Sequence, residues 1–205
     1  MRGNPEGSAA RRTAHRDIDA YLFDFGNVVV RFDHWRFCRR LASEAPRGPS
    51  AEAIYRSVFS STLNDEFERG RITGEDLYEV LASELSLEVP VERFKELWCD
   101  IFTPNPGMVQ LLLSLKGAYR VILVSNTNRW HMEYERSSYP EMFGCFDATV
   151  LSYEIGSRKP EPEIFERALV ASGTTASRCL YFDDIDSHVQ AARRMGMNAV
   201  LFRYL

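Results

Sequence analysis

Three carboxylates stand at the ends of apolar runs, where a folded chain can put them to chemical use. Asp24 ends the apolar run Ala20-Tyr21-Leu22-Phe23, and the adjacent pair Asp183-Asp184 ends a second run over 179–182. A carboxylate held at a strand end is a candidate nucleophile, and two adjacent acids repel unless they share a cation. A third run, 119–124, ends in Ser125-Asn126-Thr127-Asn128, a source of hydroxyl and amide donors. Arg158-Lys159-Pro160 enters a helix and supplies an ammonium group. Singly, each feature has a plain structural reading. Asp24 suits a turn or a cap, Ser125-Asn126-Thr127-Asn128 suits a capping loop, and Asp183-Asp184 suits the start of a helix. Lys159 alone suits a solvated surface charge. Jointly, in this order and at these strand ends, they point to phosphoryl transfer.

Attack on a phosphate monoester brings a nucleophile up to a dianion. Mg2+ held by Asp24 and Asp184, with Asp183 beside it or acting through water, would screen that repulsion. Lys159 would neutralise charge between the nucleophile and the phosphoryl oxygens. Ser125 and the Asn126 backbone amide would donate to those oxygens as charge builds. The first step would leave an aspartyl phosphate on Asp24, which water then cleaves.

The elements that must position these groups are legible from periodicity. The run ending at Asp24 suits a central strand of a parallel sheet, buried on both faces. Val28-Val29-Val30 follows Gly26-Asn27 and reads as a short extended flap. From about 33 to 102 the pattern is helical: segments near 34–45 and 50–60, a start at Thr73-Gly74-Glu75-Asp76 with Leu77, Val80, Leu81 and Leu85 on one stripe, and a helix opened by Pro90. Strand–helix alternation then returns, with strands near 119–124, 148–151, 179–182 and 199–202. The expected fold is α/β, a doubly wound Rossmann-like parallel sheet with an inserted α-helical cap subdomain. The expected organisation is an N-terminal tail over 1–16, a catalytic core over 17–32 and 103–205, and a cap over 33–102.

The 205 residues are 45% apolar and 26% charged, ordinary for a globular chain with a sizeable core. The net charge of −4 gives no reason to expect nucleic acid or an anionic membrane as a partner. No run approaches the ~18 apolar residues of a membrane helix, and the polar first sixteen residues lack the apolar stretch of a signal peptide. Cys38, Cys99, Cys145 and Cys179 form no CxxC pair. Four reduced thiols in a cytoplasmic protein, a monomer or homodimer acting on a small phosphorylated metabolite, is the expectation.

These motifs resemble the haloacid dehalogenase superfamily over about residues 20–203. Leu22-Phe23-Asp24-Phe25-Gly26-Asn27-Val28 is similar to its first motif and Val124-Ser125-Asn126 to its second. Gly156-Ser157-Arg158-Lys159-Pro160-Glu161-Pro162 is similar to the third, and Tyr181-Phe182-Asp183-Asp184 to the fourth. Within the superfamily, Asp-Phe-Gly-Asn-Val and the Arg158-Lys159-Pro160 stretch look most like a bacterial subgroup that includes glucose-1-phosphate phosphatases. The resemblance implies a magnesium-dependent phosphatase acting on a small phosphate monoester, sugar phosphates among them, with a helical cap over the site.

Two positions depart from that pattern. Family phosphatases usually carry a second Asp two residues after the nucleophile, as acid for the leaving group; here it is Gly26, whose carbonyl still offers an oxygen to the metal but no proton. General acid help is worth about 10²–10⁴-fold. Ile185 and His188 stand where the subgroup tends to have Asn. His188 is read as an outer-shell or capping residue, and His34 and His131 have no metal spacing. Trp35, Phe37, Phe59 and Phe67 are read first as cap packing, and Arg36, Arg39 and Arg40 as a solvated face. Two other activities compete: 2-haloacid dehalogenation, which needs no leaving-group proton but leaves Asp183-Asp184 without purpose, and binding of a phosphorylated ligand on a catalytically weak fold.

Overall fold

The computed structural model describes residues 18–45 and 48–204; the tail expected over 1–16 lies outside them. Five parallel strands form the sheet: β1 (Ala20–Phe23), β4 (Arg120–Ser125), β5 (Ala148–Leu151), β6 (Cys179–Asp183) and β7 (Asn198–Leu201), in the order β5-β4-β1-β6-β7. β1 is central, paired with β4 on one side and β6 on the other. The chain winds outward from β1 through β4 to β5, then crosses to build β6 and β7. The reversal opens a crevice at the carboxyl ends of β1, β4 and β6, where such sheets bind their ligands.

Alternation along β1 explains its position. Ala20 and Leu22 pack into a cluster with Ile164, Phe165 and Ala168 of α10 (Pro162–Ser172) and Val189 and Ala192 of α11 (Asp186–Arg194). Tyr21 and Phe23 join the opposite cluster, with Met108 and Leu112 of α6 (Pro106–Leu115) and Met132 of α7 (Arg129–Ser138). Each fully buried side chain of this size contributes about 1.5–3 kcal/mol. A strand buried on both faces has no polar position to spare until it leaves the sheet, and Asp24 is the first residue past its end.

Between β1 and β4 the chain leaves the sheet through β2 (Val30–Phe32) and returns through β3 (Phe102–Pro104). These pair antiparallel, Val30 opposite Pro104 and Phe32 opposite Phe102, so exit and return form one ribbon. Among the described residues, the regular elements between them are all helices: α1 (His34–Glu44), α2 (Ala51–Phe59), α3 (Leu63–Glu68), α4 (Gly74–Leu85) and α5 (Val91–Cys99). The α4 start is a full capping box, Thr73 and Asp76 bonding each other's backbone. The five helices share an apolar core around Phe37, Leu41, Ile54, Leu77, Phe94 and Trp98, and Trp130 of α7 joins it from the sheet domain.

The expected strands and longer helices are all present, with boundaries displaced by one or two residues. Short α3, α8 (Pro140–Phe143) and α9 (Ser152–Ile155), and strand β3, were not expected. Val80, placed on the apolar stripe of α4, is 47% exposed. That stripe is narrower than the periodicity suggested, because α4 packs through Leu77 and Leu81.

Candidate active site

Asp24, Asp183 and Asp184 converge at the crevice, each offering a carboxylate oxygen within 4.8 Å of the others. Lys159 rises among them from the loop before α10. Its Nζ lies 2.6 Å from Asp24 Oδ1 and 2.9 Å from Asp183 Oδ2, and donates to the Val124 carbonyl at 3.1 Å. The lysine is thus the counter-ion of two carboxylates on adjacent strands. Asp24 Oδ1 also accepts from the Phe25 N–H at 2.7 Å. Among the described residues, Asp24 Oδ2 accepts no hydrogen bond.

Burial drives the electrostatics. It pushes Asp24 up, the Lys159 ammonium pulls it back, and Asp183 and Asp184 push it up again, so the carboxyl sits above its ordinary value. Burial pulls Lys159 down, but Asp24 and Asp183 together raise it above an ordinary lysine, and it stays charged. Asp183 is held well below the usual carboxylate range: burial raises it, and Lys159 and His188 more than offset that.

Asp183 is fully enclosed. One oxygen accepts from the Ile185 N–H at 2.8 Å, the other from Lys159 and the Tyr181 hydroxyl, and His188 Nδ1 lies 3.1 Å from both. With that many partners, Asp183 serves chiefly to anchor Lys159 and His188. Asp184 is more open, steadied by Asn27 Nδ2 at 3.1 Å, and its carbonyl accepts from Arg203. Asn27 reaches it from a left-handed backbone (φ 54°), a conformation asparagine tolerates better than most residues.

The residues present suit a hard divalent cation, which prefers carboxylate and carbonyl oxygens. Asp24 and Asp184 line the open side of the crevice, as does Gly26, and the enclosed Asp183 completes the carboxylate group.

Asn126 lines the crevice, and its side chain grips the lysine loop in both directions, donating to the Lys159 carbonyl at 3.0 Å and accepting from the Lys159 N–H at 2.8 Å. Ser125 is buried, its hydroxyl donating to the Asn126 carbonyl at 3.3 Å, and it does not line the cavity.

The cavity over these groups has a volume of about 490 Å³ and is lined on its upper side by residues of the helical insertion. Its roof is aromatic on one side, with Phe32, His34, Tyr55 and Phe59, and polar on the other, with Asn64, Glu68 and Arg69. His34 stacks on Phe59 at 4.0 Å between centroids, and burial pulls it down to about 4, so the ring is neutral.

Phe37 and Phe67 are packing residues in the helical core, as expected, whereas Phe59 also faces the cavity. Trp35 stacks on Tyr55. Arg36 and Arg40 pair with Asp100, and Arg39 with Asp33, away from the cavity. His131 is a buried structural group, bonded to Asn128 and the Trp98 carbonyl.

Sequence reasoning missed Asn27, Phe32, Tyr181, Asn64, Glu68 and Arg69. Asn27 and Tyr181 each lie within three residues of an identified acid, which was the available signal. The others come from the insertion or its ribbon, where nothing in the sequence says which side chains face inward.

Position 26 is crowded by a neighbouring ring. A β-carbon on Gly26 would lie 2.6 Å from Cε1 of Phe32. The ring brought back by β2 occupies the volume that a side chain would need.

Comparison with known proteins agrees with this architecture. D-ribitol-5-phosphate phosphatase of Bacteroides thetaiotaomicron is 26% identical over 186 residues, covering 87% of this chain and 89% of that protein. Sesquiterpene phosphatase astK of Aspergillus oryzae is 30% identical over 145 residues, covering 69% of this chain and 72% of its own. A HAD family enzyme from Bacteroides thetaiotaomicron, solved with magnesium and inorganic phosphate, superposes with a TM-score of 0.79 at 24% identity, covering 89% of this chain and 93% of its own; that likeness shows the fold. The family model of haloacid dehalogenase-like hydrolases matches residues 18–196, and the chain belongs to that family.

Proposed function

We propose that this chain is a magnesium-dependent phosphatase that hydrolyses a small phosphate monoester through an aspartyl phosphate on Asp24. The observation that carries the reading is the bridge from Lys159 Nζ to Asp24 and Asp183 on the floor of a roofed cavity that Asp184 also lines. The named phosphatases among its relatives, with ribitol 5-phosphate the substrate of one, support the same reaction class. Bound magnesium would screen the phosphate dianion from the carboxylates.

Asp24 Oδ2, the oxygen without a protein partner, attacks phosphorus as the bond to the leaving oxygen breaks. Lys159 holds Asp24 Oδ1 and offers its remaining charge to the phosphoryl oxygens, while the Asn126 side chain keeps the lysine backbone in place. The leaving alkoxide takes its proton from water, because Gly26 has none to give. A second water then attacks the aspartyl phosphate, releasing inorganic phosphate and restoring Asp24. Three converging carboxylates, two of them paired with one lysine, count against dehalogenation, in which no dianion has to be screened.

The helices over 33–102 are read as the cap. Their aromatic and polar roof faces suit a small body with both C–H and hydroxyl surfaces, such as a sugar or alditol phosphate. Among the described residues no helix is long and apolar enough to cross a membrane. Four free, buried cysteines support a reducing, cytoplasmic setting.

The test is release of phosphate from p-nitrophenyl phosphate and a panel of phosphorylated metabolites, with and without magnesium. Turnover that needs magnesium supports the reading; no turnover of any ester by the folded protein rejects it.

A further inference from the structure

Five charged side chains meet where α3 crosses the loop that carries Lys159. Asp65, Glu68 and Arg69 come from the insertion, Arg158 and Glu161 from the loop. Arg69 Nη1 and Nη2 donate to the two Glu161 oxygens at 2.9 and 2.5 Å, and Arg69 Nε donates to Asp65 at 2.8 Å. Arg69 Nη1 also reaches the Gly156 carbonyl at 3.5 Å. Arg158 completes the crossing through Asp65 and, at 2.6 Å, Glu68.

Glu161 faces two ways. The oxygen that takes Arg69 Nη1 also accepts from the Arg158 N–H at 3.1 Å and the Ser157 hydroxyl at 2.9 Å. Glu161 therefore closes the loop on itself, and Arg69 holds that closure from the insertion. Asn126 grips the same loop from the sheet side through the Lys159 backbone. Lys159 hangs between the two grips.

We propose that Arg69 and Glu161 are positioning residues for the reaction: their two-pronged pairing fixes the 157–161 loop so that Lys159 meets Asp24, and so ties the floor of the site to the seating of the insertion. The inference rests on the phosphatase reading. An exposed ion pair would do little; Glu161 is 39% exposed, but the Arg69 side chain is only 15% exposed and its fork matches the carboxylate in two parallel bonds. The Arg69 bonds hold Glu161 down at about 2, so the pair is ionised across the neutral range.

The seating of α3 has other supports that these residues do not touch. The Ser152 hydroxyl donates to the Glu68 carbonyl at 2.6 Å, and Trp130 packs into the helical core. Gly70 (φ +68°) lies so close to the Tyr153 carbonyl that an added β-carbon would sit 2.3 Å from its oxygen. Loss of Arg69 or Glu161 therefore leaves the insertion seated, which separates positioning from folding.

The test is steady-state kinetics on p-nitrophenyl phosphate with magnesium for wild type, R69A, E161Q and the double variant, with melting temperatures alongside. The amide oxygen of E161Q still accepts from the loop, but an NH2 group replaces the oxygen that accepts from Arg69 Nη2, so the variant loses the charge and the second prong of the pairing. Each single variant is expected to lower kcat by about 10–100-fold, the range for a displaced catalytic group, with KM changed much less and the melting temperature nearly unchanged. The double variant should be no slower than the slower single, and R69K should recover part of the loss. Single variants within twofold of wild-type kcat would overturn the inference, as would losses that multiply in the double variant or that only follow a fall in melting temperature. An inactive wild type would instead reject the phosphatase reading itself.

Discussion

The ring of Phe32 lies against Gly26, 2.6 Å from where a β-carbon would stand. The flap that leads into the insertion thus returns an apolar group to the position from which a leaving-group acid would act. An Asp at 26 needs Phe32 to move. The G26D variant alone is expected to gain nothing. The pair G26D/F32A should raise kcat on alkyl phosphates toward the about 10²–10⁴-fold that acid catalysis supplies. The gain should be smaller on p-nitrophenyl phosphate, whose phenolate leaves unaided. The alkyl-to-aryl kcat ratio is the readout; an equal rise in G26D alone would show that the ring is no obstacle.

Lys159 has a structural role beside the one proposed for it in the reaction. With Nζ gone, Asp24 and Asp183 are left on adjacent strands without their shared counter-ion, a break that typically costs about 3–5 kcal/mol in a buried site. Lys159→Met should melt several degrees below wild type without magnesium and recover part of that difference with it. Thermal denaturation with and without the ion measures both, and an unchanged melting temperature would show that the carboxylates are relieved in another way.

The path from residue to site was legible where the chain itself marks it. Asp24 and Asp183-Asp184 were readable because each follows an apolar run that a parallel sheet buries on both faces. Lys159 was readable through its place before a helix and its family motif. Helix α3 was not: of Leu63–Glu68 only Phe67 is buried, so no stripe of apolar residues betrays it, and Thr62 makes no side-chain cap. Strand β3 is three residues long and ends in Pro104, too short for a period-two signal. The Arg69–Glu161 pair joins positions 92 apart, which no local pattern reports.

Glu135 on α7 gives a pH prediction remote from the cavity. It is fully buried, and among the described residues neither carboxylate oxygen has a hydrogen-bond partner. Burial pushes it up to about 8. A carboxyl raised in the folded state contributes stability below its unfolded value, about 4.3, and loses that contribution as pH rises through about 8. Glu135→Gln should therefore match wild type near pH 4 and melt increasingly above it toward pH 8, by about 2–4 °C per kcal/mol in a chain of this size. A constant difference across pH would show that Glu135 does not titrate in this window.

The most direct measurement is phosphate release from p-nitrophenyl phosphate by wild type and Asp24→Asn, each with magnesium and with chelator. Wild type should turn over only with magnesium. Asp24→Asn, which keeps the shape of the side chain but not the nucleophile, should lose at least about 10³-fold in kcat while remaining folded, in keeping with the loss of a group that forms the covalent intermediate. An Asp24→Asn protein as fast as wild type would contradict nucleophilic catalysis by Asp24.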